Sequence, residues 1–146
     1  MLFSRINKVD PEKVFIVVQA GEALLQGRPV CYHWTGTSDG KIGWLADEAT
    51  DQQTVVGLAD AAIASGAYGL VQCYGYRSDG QVMLSTTIAL NNGAALNIAS
   101  VSSGCLSCAV TIAAAGGAFL PFVLAASATM ASTATPAAMG VFIRCM

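Results

Sequence analysis

The sequence predicts an all-β domain: a small barrel or sandwich of short antiparallel strands, preceded by an extended N-terminal arm. Three observations predict it. Short runs rich in Val, Ile and aromatic residues recur roughly every 8 to 12 residues. Asp-Gly and Asn-Gly pairs, which favour the positive φ of tight hairpin turns, stand between them. Apolar residues at helical spacing opposite a polar face are almost absent.

Residues 1 to 13 are mixed in character and carry Pro11, so they read as an arm; residues 14 to 146 read as one β-rich domain. Val14 to Gln19 is a β-branched run ended by Ala20-Gly21 and reads as a buried strand. Gly27-Arg28-Pro29 precedes a strand from Val30 to Thr35, and Ser38-Asp39-Gly40 then turns the chain into Lys41 to Leu45. Thr54 to Ala59 is the next strand. Val71 to Tyr76, Ser78-Asp79-Gly80 and Gln81 to Leu84 repeat the strand, turn, strand pattern and predict a second hairpin. Asn91-Asn92-Gly93 separates Thr87 to Leu90 from Ala95 to Ile98. Val141 to Arg144 echoes the opening of the first strand, which suggests that both ends lie in one sheet, side by side. Helical options are few: a turn or two in Ala46 to Gln53, one turn in Asp60 to Ser65, and the alanine-rich stretch 113–128.

Charge is distributed unevenly. All seven Lys/Arg and nine Asp/Glu precede Gly80 except Arg144, so Gly80 to Ile143 carries no charge at all. A solvated surface normally carries about a quarter charged residues. This half is therefore expected to be covered, by lipid or by protein. Ala109 to Ala128 is long enough to span a bilayer, with only Thr111 and Ser127 polar. Its Ala/Gly composition, Gly116-Gly117, Pro121 and the absence of close Lys/Arg flanks favour protein burial instead. Subunit interfaces are charge-poor because an unpaired buried charge costs several kcal/mol. The net charge of -2 and the scattered cations argue against a nucleic-acid partner. The segment Met1 to Gln19 does not read as a signal peptide, and five cysteines, an odd number, fit a reducing cytoplasm as the site of synthesis.

Little material for chemistry is present. Cys105-Leu-Ser-Cys108 has half a zinc-site spacing, with Cys31 and His33 as a conceivable second half; without a second paired motif it reads as buried thiols. His33, the only histidine, has no nucleophile motif beside it. Asp47, Glu48 and Asp51 lack the alternating pattern of a calcium loop. No catalytic, cofactor or metal residue is therefore expected, and the chain does not read as an enzyme.

Val56-Gly57-Leu58-Ala59, Tyr68-Gly69-Leu70-Val71-Gln72 and Tyr74-Gly75-Tyr76, after Gly27 and Pro29-Val30, stand in an order that resembles the small β-barrel of tailed-bacteriophage capsid decoration (cement) proteins. The closing Val141-Phe142-Ile143-Arg144 also looks like the last strand of such virion proteins. The resemblance covers roughly residues 14–85 and leaves 86–140 unmatched. It implies a structural protein on the capsid exterior, a homotrimer bridging major capsid subunits, with no catalytic residues. On that reading Phe3, Arg5, Ile6 and Lys8 of the arm contact the capsid, and Phe119, Leu120, Phe122 and Met130 serve self-association. The alternatives are another virion part, such as a tail tube or spike subunit, and a small membrane protein spanning 109–128.

Overall fold

The computed structural model describes residues 12–33, 40, 42–47, 51, 54–83, 92–98, 104–108, 122–126 and 135–145. These form strands β1 (Val14–Ala20), β2 (Pro29–Tyr32), β3 (Ile42–Leu45), β4 (Val55–Ala59), β5 (Tyr68–Val82), β6 (Ala95–Ile98), β7 (Leu106–Cys108), β8 (Val123–Ala125) and β9 (Ala137–Arg144), with no α-helix among the described residues. The all-β expectation holds.

All nine strands belong to one sheet, in the order β1-β3-β2-β4-β5-β7-β6-β8-β9, with further pairings of β5 to β1 and to β9. Those two extra pairings decide the architecture. The ladder β1-β3-β2-β4-β5 returns to β1 and closes a five-stranded barrel. The remaining strands run β7-β6-β8-β9 and return to β5. The fold is thus two rings of ladders that share one long strand. Closure removes the open edges through which sheets aggregate. Most pairs are antiparallel, but β1–β3 and β5–β7 are parallel, through two residue pairs and one respectively.

The shared strand is where the sequence reading fails most clearly. Ser78-Asp79-Gly80 does not turn the chain; it lies inside the 15-residue β5. The register against β9 passes from Arg77↔Val141 to Gly80↔Met139, so one extra residue is accommodated as a bulge. A turn was displaced by a bulge because β9, far along the chain, offers β5 a continuous partner on both sides of the motif. The two terminal strands do share a sheet, but not side by side: β5 pairs with β1 along Tyr68 to Tyr74 and with β9 along Tyr74 to Val82. The Asp60 to Ser65 segment is not helical either. It holds an isolated bridge, Leu24↔Ile63, with bonds in both directions at 2.9 Å. In the alanine-rich stretch, β8 pairs with β6 and β9, so its described part is strand. Ala46 and Asp47 are irregular, and most of the remainder up to Gln53 lies outside the described residues.

Two apolar clusters fill the rings. Val18, Ala20, Leu24, Val30, Ala59, Ile63 and Val71 form the smaller one, drawn from β1, β2, β4, β5 and the bridge. The larger gathers Val82, Leu96, Ile98, Leu106, Phe122, Val123, Ala125, Met139, Val141 and Ile143, and it also receives Cys31 and Leu58. Val30 and Cys31 are neighbours in β2, and Leu58 and Ala59 in β4. Successive strand residues point to opposite faces. Hence β2 and β4 are buried on both faces and act as the wall between the rings. Each fully buried Val or Leu side chain contributes about 1.5–3 kcal/mol. The charge-free half therefore builds much of its own core.

Gln72, 1% exposed, is the most deeply buried of three polar side chains inside the described fold, with Arg77 and Asp51. Its amide donates to the carbonyls of Tyr74 and Tyr76, both at 3.1 Å. The β1–β5 register shifts between Val14 and Phe15, leaving Cys73 as the extra residue. Gln72 therefore satisfies carbonyl groups where β5 leaves one partner for another.

Candidate functional site

Three features of the described surface bear on function: an apolar band, a Cys-His-Asp cluster, and a buried arginine network.

The band follows from barrel closure. Val14–Ala20 is apolar at every position but Gln19, yet only one face of a barrel strand points inward. Val18 and Ala20 are buried, whereas Phe15 is 38% exposed and Val17 is 65% exposed. The expectation of a buried strand is corrected to a half-buried one. Across the ladder Val17 stands opposite Leu70, and Gln19 opposite Tyr68. Leu70 is 46% exposed and Tyr68 is 72% exposed. Farther along β5, Tyr76 is exposed beside Phe142 of β9, and Phe142 packs edge-on to Tyr74 at 5.4 Å. Exposed apolar groups thus meet across the β1–β5 ladder at Phe15, Val17, Tyr68 and Leu70, and Tyr76 is exposed separately, beyond the buried Gln72. Isolated surface apolar residues need no explanation, but a contiguous run marks a contact surface. Near Tyr68 and Leu70 a hollow of about 280 Å³ is floored by Ala62, Ile63 and Ala67. It offers shape more than chemistry, since its one carboxylate, Asp60, is held by Arg77.

The cluster forms where β2 ends and β4 begins. Cys31, His33 and Asp51 bring one ligand atom each within 4.8 Å of one another. Cys31 and His33 are two apart and share a side, as their spacing suggested. Asp51 arrives because its backbone carbonyl accepts bonds from the Thr54 amide, 2.9 Å, and hydroxyl, 3.2 Å, closing the turn into β4. His33 Nε2 lies 3.3 Å from Asp51 Oδ1, and the ring stacks on Trp44 at 5.5 Å and 6°. Cys31 is fully buried, and its thiol lies 3.6 Å from the Trp44 carbonyl. Burial, then the Asp51 and Asp47 carboxylates, pushes this thiol from the ordinary 9.0 up to about 12. A thiol so held is no nucleophile at neutral pH.

Cys145 is likewise pushed up to about 12, by burial and then by the nearby Cys73. Both thiols hold their protons more tightly folded than unfolded. The stability this represents is complete below about pH 9 and is lost as the pH climbs toward about 12. Urea midpoints should therefore decline from about pH 9 upward, by up to about 1.4 kcal/mol per pH unit for the fully buried Cys31 and less for half-buried Cys145. Cys145→Ala should flatten part of that slope. An unchanged profile in that variant would remove Cys145 from the account.

The arginine network ties β5 to the turns that carry Gln26 and Asp60. Arg77, 5% exposed, donates to Asp60 Oδ1 at 3.1 Å, to the Asp60 carbonyl at 2.9 Å and to Asp79 Oδ2 at 3.0 Å, and its Nε lies 2.7 Å from Asp79 Oδ1. Gln26 also donates to Asp79, at 2.8 Å. The Ser-Asp-Gly motif thus supplies an anchor for a buried cation rather than a hairpin.

Of the residues expected to make contacts, Phe122 is 9% exposed and packs in the larger core of its own chain. An acidic substitution there would strike the fold before any contact between subunits. Phe3, Arg5, Ile6, Lys8, Phe119, Leu120 and Met130 lie outside the described residues. Cys31, Cys73 and Cys105 are buried and Cys145 half-buried, and none of the four is in a disulfide. The apolar band and the approach of Asp51 escaped the sequence reading. Alternation within Val14 to Val18 is invisible because all five positions are apolar, and Asp51 reaches Cys31 only through strand pairing.

No protein-family model matches the chain, and no match was found among curated proteins.

Proposed function

We propose that the chain is a structural protein of the tailed-phage capsid decoration kind, docking as a homotrimer on the outer face of a capsid and bridging major capsid subunits. The observation that carries the reading is the exposed apolar group of Phe15, Val17, Tyr68 and Leu70 on a closed sheet. Such a face suits contact with another folded surface, since it needs no reorganisation to bind. The charge-free stretch from Gly80 to Ile143 adds a surface that can be desolvated cheaply. A trimer engaging three shell subunits gains avidity from modest individual contacts. Among the described residues no helix is long and apolar enough to cross a membrane, and Val123–Ala125, inside the 109–128 segment, belongs to the sheet.

Light scattering on the purified chain, followed by mixing with bare capsids, tests the reading. The expected results are a trimer mass and saturable capsid binding. The double variant Val17→Lys/Leu70→Lys places two cations on exposed positions, so it should keep its melting temperature while losing capsid occupancy by at least about tenfold. Full occupancy by that variant would remove the band from the interface. Rings or tubes in negative stain, in place of isolated knobs, would favour a tail-tube subunit.

A further inference from the structure

We propose that Cys31 Sγ, the His33 imidazole and the Asp51 carboxylate form a binding site for a divalent transition-metal ion of the zinc class. The proposal does not depend on the docking reading. It rests on the donor set and its spacing. Around tetrahedral zinc, with bonds of about 2.0–2.3 Å, ligand atoms stand about 3.3–3.7 Å apart. His33 Nε2 and Asp51 Oδ1 already stand at 3.3 Å, and all three ligand atoms lie within 4.8 Å. Bringing atoms within 4.8 Å to that spacing takes a shift of roughly an ångström. One sulfur, one nitrogen and one oxygen donor suit zinc or cobalt. Calcium and magnesium take oxygen alone, and copper(I) prefers a softer set.

The surroundings fit the same use. Metal-binding side chains work best when something else fixes them. The His33 ring is set by its stack on Trp44, and Asp51, 6% exposed, by the turn into Thr54. The β2–β4 register shifts between Val30 and Cys31, and bulges of this kind commonly re-aim side chains at sites. Cys31 is sealed in the larger core and His33 Nε2 is buried beneath a side chain that is 37% exposed overall, so an ion, and one water as the fourth ligand, would enter from the His33 side. Ligation would convert the Cys31 thiol to thiolate, its proton leaving to solvent. The bound ion would clamp the end of β2 to the turn that starts β4, at the wall between the two rings.

Cobalt(II) titration of the chelator-stripped full-length chain is the test. One equivalent should give thiolate-to-cobalt charge-transfer absorption and the intense visible bands of a tetrahedral site, both lost on adding zinc. Zinc should also raise the melting temperature in a concentration-dependent way. Cys31→Ser should abolish the charge-transfer absorption, and Asp51→Asn and His33→Gln should each weaken cobalt binding at least about tenfold. If Cys31→Ser fails to fold, Asp51→Asn carries the test, because it keeps the side-chain shape. The double variant Cys105→Ser/Cys108→Ser should retain the signal. Loss of the signal in that double variant with retention in Asp51→Asn would overturn the proposal. So would the absence of both an absorption change and a melting shift.

Discussion

Gly75→Ala is expected to destabilise the protein by about 3 kcal/mol or more, the sum of backbone strain and a clash that cannot relax locally. Gly75 sits mid-β5 at φ +102, opposite Ile143 of β9. A Cβ there would overlap the backbone carbonyl oxygen of Glu12 and come within 3.2 Å of the Lys13 Cα. The neighbour is main chain entering β1, so relief would require moving the strand that closes the barrel. Gly93→Ala is the matched control. Gly93 has a similar positive φ, +81, but nothing within 4 Å of its added Cβ. It should lose only the strain contribution, on the order of 1 kcal/mol. Urea denaturation of both variants separates crowding from conformation. Equal losses would mean that the approach of Glu12 to Gly75 is unimportant.

The second large effect is at Arg77. Replacing it with Met keeps the length and removes the charge and every donor. The loss should be about 3 kcal/mol, the low end for breaking a buried ion pair. The low end applies because Asp60 and Asp79 are 44% and 34% exposed and keep part of their hydration. Arg77→Lys should recover less than half of that. One ammonium cannot reach the Asp60 carbonyl, the Asp60 carboxylate and both oxygens of Asp79 in the planar fork geometry that Arg77 uses. The bulge at 77–80 should suffer with it, giving faster amide exchange along β5 beyond Gly80 and along its partner, Ala137 to Val141. If Arg77→Met shifted the urea midpoint no more than an ordinary surface substitution, the network would be ornament on a fold held by its apolar clusters.

Strand content was legible because it is written locally. Val55–Ala59, Ala95–Ile98 and Ile42–Leu45 have composition and flanking turn residues that favour extended chain whatever their partners. The Ser-Asp-Gly motif at 78–80 shows the limit. Its residues favour a turn, yet β9 makes a straight passage through a bulge the better outcome. Asp79 is kept there by Arg77 two residues before it and Gln26 far away. The cluster at Cys31 shows the same limit for chemistry. Cys31 and His33 are visibly on one side of a strand, but only the β2–β4 ladder, with Cys31 opposite Val55, carries Asp51 to them.

By itself the sequence determined that this chain would be β-structured, would contain a half without charge, and would bury thiols such as Cys31, Cys73 and Cys105. Those outcomes depend on intrinsic conformational preference and on the cost of burying charge, both of which act residue by residue. Only the tertiary structure decided that two rings share β5, that one face of Val14–Ala20 stays in the open, and that a thiol, an imidazole and a carboxylate converge. Each of these depends on which strands pair across long loops. A one-residue difference in register would exchange buried for exposed positions along a whole strand.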